Sequence, residues 1–161
     1  MTKSNFNFNH NQFPLGPGSR LLEASAGTGK TYTICNLCIL LLLGRNRPSQ
    51  RPLAINEILI LTFTIAATNE LRTRIKQRIC DAKEAFEKSS EDDFLKDLAE
   101  SSRNPEKDWE LLSNALHMID DASIFTIHGF CAKILNDHAF ESGALFTQRI
   151  SDNTTIVVEI L

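Results

Sequence analysis

The pattern of apolar and polar positions along the chain predicts strands and helices in alternation. Residues 57–63, EILILTF, form an almost continuous apolar run, which is typical of a central parallel strand buried on both faces. Residues 30–43 are apolar on nearly every side of a helix, so we expect that helix to be covered on both sides, with Gly44 as its C-cap. RLLEAS (20–25) and ASIFTI (122–127) are predicted to be two shorter strands.

A long amphipathic helix is predicted to begin after Thr64, its N-cap, and to run to about Lys88. Its apolar stripe recurs at spacings of three and four residues and consists of Leu71, Ile75, Ile79, Ala82 and Phe86. Its opposite face is basic and carries Arg72, Arg74, Lys76 and Arg78. We therefore expect one side of this helix to pack on the core and the other to face solvent.

The remaining segments complete the order of elements. Residues 1–19 are polar and end in a turn rich in proline and glycine, which predicts a flexible arm. Residues 89–120 predict a helical insertion of two short helices, the second capped by Asn104 with Pro105 at its first position. Residues 121–161 hold the last strand, a further helix and the apolar end TTIVVEIL. This alternation predicts an α/β fold, a parallel sheet with flanking helices whose ligand lies at the carboxyl ends of the strands.

Composition and charge exclude several classes of protein but do not indicate a particular ligand. The 161 residues are 42% hydrophobic and carry a net charge of −3, so a nucleic-acid partner would be met by local charge, backbone donors or stacking. Cys35 and Cys38 have no second CxxC pair to complete a zinc site, and we interpret them as buried free thiols in a reducing cytoplasm. The N-terminus lacks a signal-peptide core, and ICNLCILLLLG is too short to span a membrane.

The segment EASAGTGKTYT, residues 23–33, carries the clearest chemistry. A strand, a GxxxxGK[ST] loop and a helix form the phosphate-loop signature, and here the loop consists of Ala24, Ser25, Ala26, Gly27, Thr28, Gly29, Lys30 and Thr31. Backbone N–H groups would converge on a β-phosphate, Lys30 would reach the β- and γ-phosphates, and the Thr31 hydroxyl would bind Mg²⁺. Ala24 departs from the pattern, which places glycine there. The alternative is a turn of small residues with a solvated lysine.

Two further segments place polar side chains between a strand and a helix. In LTFTIAATNELRTRI (61–75), hydroxyls and helix-start N–H groups could hold a nucleic-acid phosphate, with Phe63 as a stacking face. The alternative is that Phe63 is core, Thr64 is an N-cap and the arginines are a solvated face. In FTIHGFCAKIL (125–135), His128 could contact DNA or be structural.

Together the three segments resemble the superfamily 1A helicases of the UvrD/Rep type, in which similar segments follow in this order and the loop commonly begins with alanine. Within them the chain is most similar to the RecB-type helicase–nucleases, the beta subunits of exodeoxyribonuclease V. The segments that carry this resemblance are LLEASAGTGKTYTI, LTFTIAATNELRTRI, FTIHGFCAKIL and AFESGALF. The resemblance covers roughly residues 13–150.

The resemblance implies an ATP-driven DNA translocase that helps to unwind and degrade double-strand ends in recombinational repair, together with other subunits. It makes residues 24–31 the ATP site, with Lys30 and Thr31 as catalytic residues, in a RecA-like motor core over residues 20–88. The single-stranded DNA path would be lined by Thr62, Phe63, Thr64, Arg72, Thr126 and His128. Ile65 stands where a polar or acidic residue is usual, and Gln12 is too close to the loop to read adenine.

Several parts of a complete motor are not recognisable in the sequence. Asp120 and Asp121 end a helical pattern rather than a strand, and no arginine finger, second lobe or nuclease cluster is evident. We therefore expect a truncated motor lobe, with residues 121–161 leading into a further helical subdomain, that binds nucleotide without full activity. The alternatives are a small phosphate-loop kinase, which would need an acceptor site and a lid, and a non-enzymatic module that binds single-stranded DNA.

Overall fold

The computed structural model describes residues 10, 13–23, 25, 27 and 29–138, and within them helices and strands alternate largely as predicted. The segments AFESGALF and TTIVVEIL lie outside the described residues. The helices and strands are α1 (Lys30–Leu42), β1 (Ile60–Thr62), α2 (Ile65–Glu87), α3 (Asp93–Glu100), α4 (Pro105–His117), β2 (Ile124–Thr126) and α5 (Ile127–Asp137). Two single 3₁₀ turns, Ile55–Glu57 and Ile119–Asp121, precede the two strands.

The two strands pair in parallel, as predicted. Ile60 lies opposite Ile124, and the last residue of β1, Thr62, lies opposite the last residue of β2, Thr126. Because both strands end at the same level, the helices that follow them, α2 and α5, begin side by side at the carboxyl edge of the sheet.

The predicted stripe of α2 forms the centre of the core. Leu71, Ile75, Ile79 and Ala82 are all buried, and Phe86 is partly buried against them. Helices α1, α3 and α4 pack around α2, so the segment 89–120 does form two helices that add to the same core. The amphipathic pattern therefore predicted the buried side of this helix correctly.

Three predicted helix ends have the expected geometry. The Thr64 hydroxyl accepts the Ala67 N–H at 3.1 Å and caps α2. The Asn104 side chain accepts the Lys107 N–H at 3.1 Å, with Pro105 at the first position of α4. Gly44, at φ 67°, directly follows Leu43, the C-cap residue of α1, so the predicted glycine does end the helix, but it stands one position after the C-cap and not at it.

The apolar run 57–63 is only partly a strand, and the expectation of burial on both faces is wrong. Residues 60–62 form β1, whereas Leu59 and Leu61 are 47% and 43% exposed. Helix α2 packs against the opposite side of the strands, where Ile58 and Ile124 are buried in the core that α1, α3 and α4 share. The described part of the chain thus covers one face of a parallel pair that normally needs both faces covered.

Two other expectations also differ from the structure. Residues 20–23 and 25 do not form a strand, and Leu21 is 81% exposed, because no neighbouring strand pairs with this segment within the described residues. Helix α1 is not covered on all sides, since Tyr32 and Ile34 are exposed while the side toward α2 and α4 is buried. The apolar content of a segment signals burial but does not say which neighbour provides it.

The described part of the predicted N-terminal arm contacts the body of the protein. The Leu15 N–H donates to the Asn46 carbonyl at 2.8 Å, and the Asn46 side chain donates to the carbonyls of His10 and Phe13. Cys35 and Cys38 are buried free thiols as predicted, and burial raises the pKa of Cys38 to about 12. Among the described residues, no helix combines the length and the apolar character needed to cross a membrane.

Candidate nucleotide and nucleic-acid site

The glycine loop leads directly into the first turn of α1. Gly27 and Gly29 have φ angles of 77° and 85°, in the left-handed region that favours glycine. An added Cβ at either position would meet nothing within 4 Å, so the backbone conformation, and not crowding by the protein, requires glycine here. The open space beside both glycines is what a phosphate group needs in order to reach backbone N–H donors. Ala24, Ala26 and Thr28 lie outside the described residues.

The charged end of the loop is arranged around the N-terminus of α1. Lys30 is the first residue of the helix, and its ammonium group donates to the Ser25 carbonyl at 2.6 Å, across the loop. Gly29, at the N-cap position, supplies no capping side chain, and the first turn contains no acidic residue. The positive end of the helix dipole therefore meets no carboxylate of that turn, which favours an external anion. Thr31 follows on the same turn and is partly buried.

The threonines at the strand ends are engaged in local hydrogen bonds. The Thr126 hydroxyl accepts the Gly129 N–H at 3.0 Å and caps α5, as Thr64 caps α2. The Thr62 hydroxyl lies 2.6 Å from that of Thr68 and donates to the Thr64 carbonyl at 3.1 Å. The N-cap interpretation of Thr64 is thus confirmed, and two capped helix N-termini lie next to each other at the sheet edge.

The aromatic and imidazole side chains of the predicted DNA path are accessible. Phe63 is 81% exposed, so its alternative interpretation as a core residue is wrong. Ile65, on the first turn of α2, is 73% exposed, and His128 is exposed on the first turn of α5. The sheet edge therefore presents a stacking surface and an imidazole beside two helix N-termini, a combination that suits single-stranded nucleic acid.

Arg72 has a structural role that the sequence pattern did not indicate. Its guanidinium donates to the carbonyls of Ile119 at 3.1 Å and Ala122 at 3.4 Å. These carbonyls belong to the turn that leads into β2, so Arg72 fixes that turn against α2. Its contact with DNA stays a prediction. Asp120 and Asp121 lie exposed in the same turn, before β2 and not at a strand end.

The sequence pattern also failed to identify a polar cluster around Arg78, which was expected on the solvated face of α2 but is only 8% exposed. Its guanidinium donates to both carboxylate oxygens of Asp92 at 2.8 and 3.0 Å, to the Asn36 side-chain oxygen at 2.7 Å and to the Tyr32 hydroxyl at 3.1 Å. Asn36 lies 3.4 Å from the His10 ring. We call these five residues the Arg78 cluster. The expectation of solvation is wrong because α1 and the start of α3 pack over Arg78 and supply its polar partners.

Two titratable members of the Arg78 cluster have shifted pKa values. Burial, and then the positive charge of Arg78, lower the pKa of His10. Burial alone would raise the pKa of Asp92, but hydrogen bonds from Arg78 and from the Leu95 N–H bring it below its usual value. The cluster is therefore built for a neutral imidazole and an ionised carboxylate.

Acidification is expected to destabilise the folded chain in two steps. Because the folded-state pKa of His10 lies below 6.5, the unfolded chain binds more protons as the pH falls through that value. Asp92 adds a second loss as the pH falls below its unfolded value of about 3.8. Urea unfolding followed by circular dichroism should show the first decrease between about pH 7.5 and 5. This decrease in stability should be smaller in His10→Gln. If the unaltered chain were equally stable at both pH values, the predicted role of His10 would be contradicted.

Comparison with known proteins shows the family to which the chain belongs. Residues 9–160 match the family model for the UvrD/REP helicase N-terminal domain. The chain belongs to the UvrD/REP helicase family. It is 43% identical over 143 residues to the RecBCD enzyme subunit RecB of Escherichia coli strain K12, covering 87% of this chain and 12% of that protein. It is 44% identical over 150 residues to the RecBCD enzyme subunit RecB of Haemophilus influenzae, covering 86% and 12%.

A more distant relative of this UvrD/REP helicase chain is matched over the same share of its own length. The RecBCD enzyme subunit RecB of Chlamydia trachomatis is 39% identical over 124 residues, covering 75% of this chain and 12% of the relative. The chain thus spans about 12% of the length of the curated relatives that it matches. The resemblance to the N-terminal region of RecB is confirmed, and so is the α/β class of the fold.

Proposed function

We propose that this UvrD/REP family chain forms the ATP-binding part of the first motor lobe of a RecB-type DNA helicase subunit. The observation that carries the proposal is the loop of Gly27, Gly29 and Lys30 at the N-terminus of α1, in a chain whose parallel strands end beside two further helix N-termini. This arrangement is the one in which a phosphate-loop protein of RecA-like fold holds a nucleoside triphosphate.

The residues of the loop fit ATP and Mg²⁺. The left-handed glycines leave space for phosphate beside backbone N–H groups, and Lys30 is near enough to the loop to exchange the Ser25 carbonyl for a phosphate oxygen. Thr31 would hold Mg²⁺ through its hydroxyl, and the remaining loop residues, Ala24 to Thr28, would wrap the phosphates. In the whole protein, hydrolysis of the bound ATP would supply the free energy for translocation.

The sheet edge is proposed to guide single-stranded DNA. The exposed Phe63 would stack on a base, His128 would contact the backbone, and the helix starts capped by Thr64 and Thr126 would attract phosphate. Arg72 would contribute through its positive charge while it holds the turn before β2. The matched relatives are named as subunits of the RecBCD enzyme, so we propose partner subunits for this chain as well.

The whole protein is proposed to unwind and degrade double-strand ends in recombinational repair, in a reducing cytoplasm that suits its free thiols. Within it, we propose a motor core over residues 20–88 and a helical insertion over residues 89–120. The two described strands end on Thr62 and Thr126, and the carboxylates of Asp120 and Asp121 lie before β2 and not at a strand end, where they could polarise the attacking water. We therefore propose that this chain binds nucleotide without completing the ATPase cycle.

Calorimetric titration with ATP and Mg²⁺, and in parallel with ADP, AMP and adenosine, tests the proposal. Affinity should rise with the number of phosphates and should depend on Mg²⁺, because the loop recognises the β- and γ-phosphates. Hydrolysis should remain undetectable. Equal affinity for adenosine and ATP, or binding of none of them, would contradict the proposal, and turnover of ATP would contradict the incomplete cycle.

The exposure of Phe63 favours a second candidate function, a single-strand-binding module that needs no nucleotide. Fluorescence anisotropy with a labelled oligothymidine should then show binding that weakens with salt and weakens further in Phe63→Ala. Phe86→Leu, on the partly buried stripe of α2, is the matched control. Unchanged binding in Phe63→Ala would exclude this residue from the path.

A further inference from the structure

We infer that Arg78 and Asp92 are positioning residues for the nucleotide loop, holding the first two turns of α1 against α2 and the start of the helical insertion. The inference rests on the proposed function, since it names residues outside the loop that set the loop's affinity for a nucleoside triphosphate. It is carried by the Arg78 cluster, whose members come from different segments of the chain.

The cluster forms hydrogen bonds with α1 near the end that carries the loop. Tyr32 directly follows Lys30 and Thr31, and its hydroxyl accepts from Arg78 at 3.1 Å and lies 3.1 and 3.2 Å from the two carboxylate oxygens of Asp92. Asn36, one turn further along α1, accepts from Arg78 at 2.7 Å and is fully buried. Two successive turns of α1 are therefore tied to the same guanidinium.

The geometry of the cluster needs a guanidinium and an ionised carboxylate. All three nitrogens of the Arg78 guanidinium donate hydrogen bonds, and they reach Asn36, Tyr32 and Asp92. The two bonds to Asp92 form a bidentate pair. An ammonium group could not reproduce this fork. The ring of Tyr32 also lies 4.7 Å from the guanidinium carbon, so the aromatic face adds to the attraction.

Asp92 connects the cluster to the insertion. Its carboxylate also accepts the Leu95 N–H at 3.1 Å and thereby caps α3, the first helix of the predicted insertion. A displacement of the start of α3 would pull on Arg78 and Tyr32, and hence on the turn that carries Lys30 and Thr31. The cluster thus provides a direct mechanical connection between the insertion and the nucleotide loop.

A similar ion pair at the other end of α1 offers a matched control. Arg45, in the turn after α1, donates to Asp108 of α4 at 2.6 Å, and Asp108 is buried. This pair also joins the neighbourhood of α1 to the insertion. It lies about 20 Å along the helix from the loop, as the length of α1 dictates.

Asp92→Asn is the informative variant, because asparagine caps helices as well as aspartate but lacks the negative charge. We expect ATP affinity, measured by calorimetry, to fall about tenfold, as for other residues that orient ligand-binding groups. Amide hydrogen exchange followed by mass spectrometry should become about tenfold faster over residues 29–36 without nucleotide. Asp108→Asn should change neither measurement. Both measurements are made under conditions in which urea titration shows every variant to be more than about 95% folded.

Tyr32→Phe provides a second variant, since it removes a single hydroxyl from a side chain that is 42% exposed and is expected to fold. It should shift affinity and exchange in the same direction as Asp92→Asn. The inference is overturned if exchange over residues 29–36 is unchanged in both variants, or if Asp108→Asn accelerates it equally. If the unaltered chain binds no ATP, the proposed function fails, while the exchange measurement still decides the inference.

Discussion

Replacing Lys30 by alanine is expected to weaken ATP binding at least about 100-fold, the largest effect on ligand affinity that we predict. The ammonium group stands at the first residue of α1, where it closes the loop through the Ser25 carbonyl at 2.6 Å. On binding, it would make charge-assisted hydrogen bonds to two phosphates, each worth roughly 1.5–3 kcal/mol. Calorimetric titration of the variant with ATP and Mg²⁺ checks this result.

Lys76→Ala is the matched control for Lys30→Ala, because it removes the same charge from an exposed position of α2. It should leave the affinity within about twofold, since exposed charges beyond a Debye length are largely screened. The stability of Lys30→Ala should also stay close to that of the unaltered chain, because Lys30 is exposed. If the affinity of Lys30→Ala for ATP were within about threefold of that of the unaltered chain, the loss would be more than about tenfold smaller than expected. That result would show that the loop is not the nucleotide site.

The features predicted correctly from the sequence are those that depend on neighbouring residues. The glycines of the loop, the caps Thr64 and Asn104 and the buried stripe of α2 follow from local backbone conformation and helical periodicity. The common edge at which both strands end follows as well, because parallel strands joined by helices end at the same side of the sheet. Each of these signals lies within a few residues of the feature that it predicts.

The predictions about strands failed where a distant partner decides the outcome. Residues 20–25 were expected to form a strand, but a strand is stabilised by a neighbour, and none pairs with them in the described part of the chain. Leu59 and Leu61 were expected to be buried, and they lie on the sheet face that the described helices do not cover. An apolar run indicates that a segment tends to be buried, but it does not show which other segment covers it.

The Arg78 cluster was missed for a related reason. Arg78 was expected to lie with Arg74 on a basic face, although it lies three positions after Ile75 and four before Ala82, on the side of the helix that carries the apolar stripe. Arg74 pairs with Glu70 at the surface, whereas Arg78 meets Asn36, 42 positions away, and Asp92, 14 positions away. The spacing could therefore have indicated that Arg78 is buried, but its partners come together only when α1 and α3 pack on α2, so local periodicity could not have identified them.

Gly44→Ala is expected to lower the free energy of unfolding by about 2–4 kcal/mol, the largest stability effect that we predict. Gly44 has φ 67° and completes a Schellman motif, in which Arg45 N–H bonds to Leu40 at 2.7 Å and Gly44 N–H to Leu41 at 3.1 Å. An added Cβ would lie 2.6 Å from the Gln50 carbonyl oxygen and 2.7 Å from backbone atoms of residues 51 and 52. Urea unfolding measures the loss.

Two further variants separate the causes of that loss. Gly44→Asn tolerates the left-handed conformation better than alanine but keeps the clash, so it should remain destabilised, although less than Gly44→Ala. Gln50→Gly, at φ 48° in the same turn, should leave stability within about 0.5 kcal/mol, because relief of strain offsets the added freedom of the unfolded chain. If Gly44→Ala unfolded at the same urea concentration as the unaltered chain, the backbone that closes α1 would have to be free to move away. That result would be unexpected, because the segment after Gly44 is also held to α1 by the Leu53 N–H, which donates to the Leu41 carbonyl at 3.1 Å. It would show that these contacts do not fix the backbone between α1 and β1.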